Sequence, residues 1–216
     1  MRPSIGKRMQ IIILPEIFGR TSFITALETQ FLDREFAVQT LDPLGGKQPV
    51  FDNEQHAYDH FMNGCGYDGY LDLLLRTVKE TEGPMFLIGF SVGASTAWRI
   101  LENVAYASRI KRFVGFYPGQ IRHYLSVYPA CPATLVFPKT ETHFSVQDVM
   151  KPVAGKDSVT CYQSDAGHGF LNPSSVNFVP ELSTKFLAAF KDSNPEHIGD
   201  GLDYYLSTSF QETVCR

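Results

Sequence analysis

A serine between two glycines is the most chemically suggestive feature of this sequence. The segment Gly89-Phe90-Ser91-Val92-Gly93 follows a continuous apolar run and precedes a helix-like pattern, which places Ser91 at a strand-to-helix turn. Glycines allow the close backbone approach that such a turn requires, and the turn exposes the hydroxyl. The N–H of Val92 would begin the helix, where unpaired donors and the positive dipole end can meet an oxyanion. The pattern predicts that Ser91 attacks an acyl carbonyl; a turn that merely joins two elements is the alternative.

A serine hydroxyl becomes a good nucleophile only when a neighbouring base takes its proton. His168 lies in the glycine-flanked loop Asp165-Ala166-Gly167-His168-Gly169-Phe170, directly after the last strand-like run. Loops at the carboxyl ends of parallel strands converge on one site, so His168 is the predicted base. Four other histidines lie in less suitable segments, namely His56, His60, His123 and His197.

A carboxylate should hold this histidine in the correct tautomer and stabilise the imidazolium that forms. Glu141 fits this role because it lies between serine and histidine in chain order, in a loop directly after a predicted strand. Asp165, in the histidine loop itself, is the alternative.

Strands and helices alternate along the chain and would place these loops together. We expect strands at residues 9–14, 37–41, 85–90, 112–117, 134–137 and 158–162. Helical patterns cover residues 21–32, 67–82, 93–106 and 145–150, a further helix begins near Pro180, and a short one lies around residues 202–206. Residues 47–66 form a polar stretch of weak periodicity. Continuous apolar strands predict a mostly parallel sheet covered by helices on both faces, as in the α/β-hydrolase fold.

We expect one domain over residues 1–216, with a core at about 9–192, a C-terminal tail at 193–216 and no large cap. The tail aromatics Tyr204, Tyr205 and Phe210 are expected to pack on the domain or on a second subunit. Nothing in the sequence indicates an oligomeric state.

Composition narrows the classes of partner. Hydrophobic residues make up 44% and charged residues 19%, with a formal net charge of -4, which excludes a disordered chain and gives no reason to expect nucleic acid or a membrane as partner. The chain has four cysteines, Cys65, Cys131, Cys161 and Cys215, and none of them forms a CxxC pair. We therefore expect no metal site. The predicted chemistry also needs no cofactor. A small-molecule substrate and a cytoplasmic location with reduced thiols are the simplest expectations.

Several segments, in this order, resemble the dienelactone hydrolase family over about residues 9–190. They are Pro15-Glu16-Ile17-Phe18-Gly19, the nucleophile segment Gly89 to Ala94, Phe116-Tyr117-Pro118-Gly119, Glu141-Thr142-His143-Phe144, and Ala166 to Phe170. The resemblance implies that Ile17 contributes a second oxyanion N–H beside that of Val92. It also implies that Glu16 lies next to the nucleophile, where a buried carboxylate would need a polar partner.

The chain departs from this family at three points. Ser91 stands where the best-known members have cysteine, and Glu141 where the acid is usually aspartate. Members that cleave dienelactone hold its carboxylate with arginines, but no arginine occurs in residues 47–75 or directly after His168. Bidentate recognition of a carboxylate is therefore expected to be lost.

The combined pattern predicts a serine hydrolase that acts on a small ester or lactone through an acyl-enzyme. Tyr117, Phe144 and Phe170 are expected to line its pocket. Two alternatives stay open at this point: a thioesterase or peptidase with the same triad, and a noncatalytic protein of the same fold that binds a small ligand.

Overall fold

The computed structural model describes residues 8–32, 34, 36–191 and 198–213. The strands in this part of the chain are β1 (Gln10–Leu14), β2 (Ala37–Thr40), β3 (Met85–Phe90), β4 (Ile110–Phe116), β5 (Ala133–Phe137), β6 (Val159–Gln163) and β7 (Gln211–Thr213). They form one sheet in the order β2-β1-β3-β4-β5-β6-β7. Neighbouring strands are parallel except β6 and β7, which are antiparallel. The sheet confirms the predicted fold class.

Helices connect the strands. They are α1 (Ser22–Leu32), α2 (Glu54–Asn63), α3 (Gly66–Glu80), α4 (Val92–Trp98), α5 (Val104–Ala107), α6 (Val146–Ala154), α7 (Pro180–Ala188) and α8 (Asp200–Ser209), with a 3₁₀ helix at Gly119–His123 after β4.

Two hydrophobic cores fill the two faces of the sheet. In β1, Ile11 and Ile13 belong to the core that contains the buried side chains of α1, α7 and α8, whereas Ile12 and Leu14 belong to the core that contains those of α2, α3, α4 and α6. All four side chains are fully buried. Burial on both faces explains why the central strands read as unbroken apolar runs.

The structure differs from the expected elements at three places. The stretch 47–66 contains α2, which buries only Ala57 and Phe61 and is therefore weakly patterned. The helix expected at 93–106 divides into α4 and α5, because Asn103 caps a new helix by accepting a hydrogen bond from the N–H of Ala105 at 3.0 Å. Strand β7 has three residues at the edge of the sheet, too few for a visible alternation.

The tail packs on the domain. Tyr205 and Phe210 are buried in the core that contains α7, while Tyr204 is exposed. His197 and Cys215 lie outside the described residues.

Candidate active site

Ser91 lies at the sharp turn between β3 and α4, in a strained backbone conformation. Its φ is 49° and its ψ is −115°, a region that residues with a side chain rarely adopt. An added Cβ on Gly93 would lie 2.2 Å from the carbonyl oxygen of Leu14, and one on Gly89 would lie 2.6 Å from the Cα of Ala94. Only glycine fits at these positions, so the motif holds the start of α4 against the end of β1.

Ser91, His168 and Glu141 form a continuous hydrogen-bonded chain. The Oγ of Ser91 is 2.8 Å from Nε2 of His168, and Nδ1 of His168 is 2.7 Å from Oε1 of Glu141. A carboxylate accepts only, so Nδ1 carries the proton and Nε2 is left to accept the proton of the serine. The structure thus brings the three residues of the predicted triad together in one hydrogen-bonded chain.

The loops that carry Glu141 and His168 leave adjacent strands and are bonded to each other. Lys139 N–H donates to the carbonyl of Ala166 at 2.8 Å. The carbonyl of His168 accepts from Ser175 Oγ at 3.1 Å and from the Asn177 amide at 3.0 Å. These bonds fix the backbone on both sides of the imidazole.

The electrostatic environment of His168 favours its charged form. Burial lowers the pKa of the imidazole, but the hydrogen bond and charge of Glu141, with smaller contributions from Glu16 and Glu54, outweigh it and raise the pKa above its ordinary value. The alternative acid, Asp165, forms no hydrogen bond or ion pair with the described His168 side chain. Its side chain is exposed and lies 3.4 Å from Nζ of Lys139.

The residues expected to form an oxyanion hole, Ile17 and Val92, line the same cavity as Ser91. Ile17 lies in a turn closed by a hydrogen bond of 2.9 Å from Gly19 N–H to the carbonyl of Glu16. Within the described chain, the N–H groups of Ile17 and Val92 donate to no protein acceptor. Both are therefore available to a ligand oxygen, as the start of α4 requires for Val92.

Glu16 is buried and connected to the imidazole through Tyr117. The Tyr117 hydroxyl donates to Oε1 of Glu16 at 3.2 Å, and the ring of Tyr117 lies 5.0 Å from that of His168. Burial raises the pKa of Glu16 to about 7, although the charge of His168 and the side chains of Asn172 and Tyr117 lower it. Asn172 adjoins this carboxyl, yet its Nδ2 forms no hydrogen bond of ordinary geometry with the described residues. The Tyr117 hydroxyl is thus the clear polar partner that a carboxylate here was expected to need.

The cavity in front of Ser91 has a volume of about 520 Å³. Phe144 lines it as expected, but Tyr117 and Phe170 do not. Both of these rings are fully buried in the core that contains α7, with centroids 5.1 Å apart, so the expectation that they line the pocket was wrong.

Another part of the cavity wall is formed by residues that the sequence analysis does not predict. It consists of side chains from α2, the start of α3 and the 3₁₀ helix, and we call it the polar wall: Glu54, Gln55, Tyr58, Tyr67, Gln120 and Arg122. The spacing of Glu54 and Tyr58 is the signal available in the sequence, since residues four apart share a helix face. Arg122 follows the carboxyl end of β4, where side chains of this fold class approach the ligand.

The described residues contain no group of three His, Cys, Asp or Glu side chains that could hold a metal ion. In the same residues, no helix is long and apolar enough to cross a membrane.

Comparison with known proteins agrees with the fold. No family model matches the chain. A Klebsiella pneumoniae structure assigned as a dienelactone hydrolase is similar, with a TM-score of 0.61 and 14% sequence identity. The match covers 95% of this chain and 88% of the Klebsiella chain. A Xanthomonas campestris structure assigned to the α/β hydrolase superfamily is similar, with a TM-score of 0.55 and 16% sequence identity. The match covers 92% of this chain and 99% of the Xanthomonas chain.

These identities are low, so the two structures show the α/β-hydrolase fold alone. Among curated sequences, the uncharacterized protein YczH of Bacillus subtilis is 31% identical over 186 residues, which cover 84% of this chain and 90% of that protein. The chain therefore belongs to the family of Bacillus subtilis YczH.

Proposed function

We propose that this protein is a serine hydrolase that cleaves a small ester or lactone through an acyl-enzyme. The observation that carries the proposal is the hydrogen-bonded chain from Ser91 through His168 to Glu141, with Ser91 held at φ 49° on the turn after β3. A strained, glycine-locked serine in contact with a base serves no evident purpose in packing.

The reaction follows from these contacts. Ser91 attacks the carbonyl carbon while Nε2 of His168 takes its proton, and Glu141 stabilises the resulting imidazolium. The N–H groups of Ile17 and Val92 donate to the oxyanion. His168 then protonates the leaving oxygen, and the acyl group stays on Ser91. A water molecule, deprotonated by His168, attacks the acyl-enzyme, and the proton returns to Ser91 as the acid departs.

The size of the cavity supports a small substrate. A volume of about 520 Å³ lies in the usual range for small-molecule sites. The proposed relation to dienelactone hydrolases rests on the sequence motifs, because the structural similarity shows the fold alone.

Covalent labelling tests the proposal. A fluorophosphonate probe, followed by intact-mass measurement, should add one adduct to the wild-type protein and none to Ser91→Ala. His168→Ala should label much more slowly, since the serine loses its base. Ser126→Ala, which removes an exposed serine away from the cavity, is the matched control and should label like the wild type.

Turnover of matched ester, thioester and amide substrates then identifies the acyl chemistry. Absence of labelling in correctly folded protein, or an adduct that persists in Ser91→Ala, would contradict the proposal. The first of these results would favour the noncatalytic binding protein.

A further inference from the structure

Arg122 presents an uncompensated positive charge in the cavity that contains Ser91. Its Nη1 donates to the carbonyl of Gly119 at 2.8 Å, and its guanidinium lies over the ring of Phe144, 5.0 Å from the ring centre. No carboxylate among the described residues pairs with it. Arg20, Arg99 and Arg112 each pair with a carboxylate, whereas Arg109 bonds backbone carbonyls as Arg122 does, but outside the cavity. Arg122 is thus held in place while its remaining N–H donors stay available to a ligand.

The 3₁₀ helix that carries Arg122 is fixed relative to the nucleophile. Buried Ser95 links the two: its Oγ donates to the carbonyl of Ser91 at 3.1 Å and accepts from the N–H of Gln120 at 3.1 Å. At the start of the same helix, a Cβ added to Gly119 would lie 3.5 Å from Oε1 of Glu141. The helix therefore adjoins both ends of the triad.

From this placement we propose that Arg122 binds a carboxylate on the substrate, so that the preferred ester or lactone is a monoanion. The inference rests on the proposed function and adds the substrate class. A guanidinium matches a carboxylate with two parallel hydrogen bonds, and contact with the Phe144 ring keeps its plane in place. The sequence-based expectation that carboxylate recognition is lost considered only residues 47–75 and the segment after His168. Arg122 comes from a different element.

The two glutamates that line the cavity disfavour a second negative charge on the substrate. Glu141 is paired with His168, whereas Glu54 is exposed on α2 and close enough to His168 to affect its pKa. A second anion on the substrate near Glu54 would be repelled. Tyr67 lies on the Arg122 side: burial raises the pKa of its phenol, while the charge of Arg122 lowers it, so the hydroxyl stays protonated beside the bound anion.

Matched pairs of substrates test the inference. We would measure kcat/KM for 4-nitrophenyl hemisuccinate and hemiglutarate against their neutral methyl esters, and for 4-acetoxybenzoate against its methyl ester. These pairs place the carboxylate on the acyl side and on the leaving-group side. Arg122→Gln should lower kcat/KM for at least one anionic series by roughly 10- to 100-fold, the effect of removing a charged hydrogen bond. The neutral partners should change by less than about threefold, as expected for residues with no lost contact.

Two further readouts separate recognition from a structural role. Arg122→Lys keeps the charge and should recover part of the preference, and the preference of the wild type should decline with added salt. Equal losses for anionic and neutral substrates, or an unchanged ratio in Arg122→Gln, would overturn the inference while the proposed function stands.

A binding measurement keeps the two proposals distinguishable. Calorimetry of the Ser91→Ala protein with monomethyl succinate should show binding that disappears in Ser91→Ala/Arg122→Gln and is absent for dimethyl succinate. If the wild type hydrolyses no ester, this result still decides whether Arg122 binds a carboxylate, and no anion binding in Ser91→Ala overturns the inference.

Discussion

The two sides of the cavity are built in different ways. The catalytic side is formed by loops that follow the carboxyl ends of β1, β3, β5 and β6 and carry Ile17, Ser91, Glu141 and His168. Close-packed glycines and short hydrogen bonds fix the positions of these residues. The polar wall comes from α2, the start of α3 and the 3₁₀ helix. The 3₁₀ helix is fixed by bonds of Gln120 to Ser95 and Tyr67 at 3.1 Å and 2.9 Å, whereas the hydroxyl contact between Tyr67 and Tyr58 measures 3.4 Å. The catalytic side suits chemistry, which needs fixed distances, and the exposed side chains of α2 suit recognition, which tolerates exchange of side chains.

Removal of the acid on the catalytic side should have the largest effect. Glu141→Gln should lower kcat/KM for an ester by about 10²- to 10⁴-fold, because His168 loses its orienting charge. The activity of the wild type should rise as pH rises through the raised pKa of His168, since only the neutral imidazole acts as base. In Glu141→Gln that midpoint should move to lower pH. Tyr58→Phe, on the polar wall, is the control, and pH–rate profiles of both variants measure the shift. An unmoved midpoint in Glu141→Gln would contradict the role of this residue.

Glycine substitutions on the two sides should differ next. In Gly93→Ala the new Cβ meets backbone oxygens at 2.2 Å and 2.5 Å, which cannot move without displacing β1, so we expect a loss of at least about 3 kcal/mol in the free energy of unfolding. Gly119→Ala places its Cβ at ordinary contact distances of 3.5 Å and more, and should be neutral or stabilising by up to about 1 kcal/mol. Denaturant unfolding of both variants checks the difference, and similar losses would show that the turn at Ser91 is not specially constrained.

A smaller effect should follow from Glu16, which lies on the catalytic side but is buried. Its pKa is raised from 4.5 to about 7, so the folded protein binds a proton that the unfolded chain releases over this interval. The protonated form thus favours folding below about pH 4.5, and this contribution is lost as pH rises to about 7. The size of the loss is on the order of 3 kcal/mol.

Glu16→Gln should remove this dependence. Relative to the wild type, the variant should gain stability between pH 5 and pH 8, measured by denaturant unfolding at each pH. Glu80→Gln, at an exposed position at the end of α3, is the matched control and should follow the wild type. Parallel curves for wild type and Glu16→Gln would rule out the proposed titration.

The same contrast separates what the sequence predicts from what it does not. The loops that meet at the site follow strands with strong apolar runs, so chain order and loop position predict Ser91 and His168, and Glu141 with Asp165 as the alternative acid. The polar wall lacks such signals. Helix α2 buries two residues, and Arg122 lies in a helix of five residues that is too short for periodicity. Tyr117 and Phe170 lie close to site residues in the sequence. Whether their rings enter the core or the cavity depends on the local backbone direction, which the sequence does not give. At Tyr117 the backbone has a positive φ of 40°.

The order of the strands has a consequence for how the molecule opens. The edge strands of the sheet are β2 and β7, and neither of them is followed by a loop that carries a triad residue. The short antiparallel β7 bonds along β6, the strand that leads to His168, and so makes it an interior strand. Local fraying costs least at the margins of a sheet. Fraying of these edge strands is therefore expected to precede loss of the distances among Ser91, His168 and Glu141.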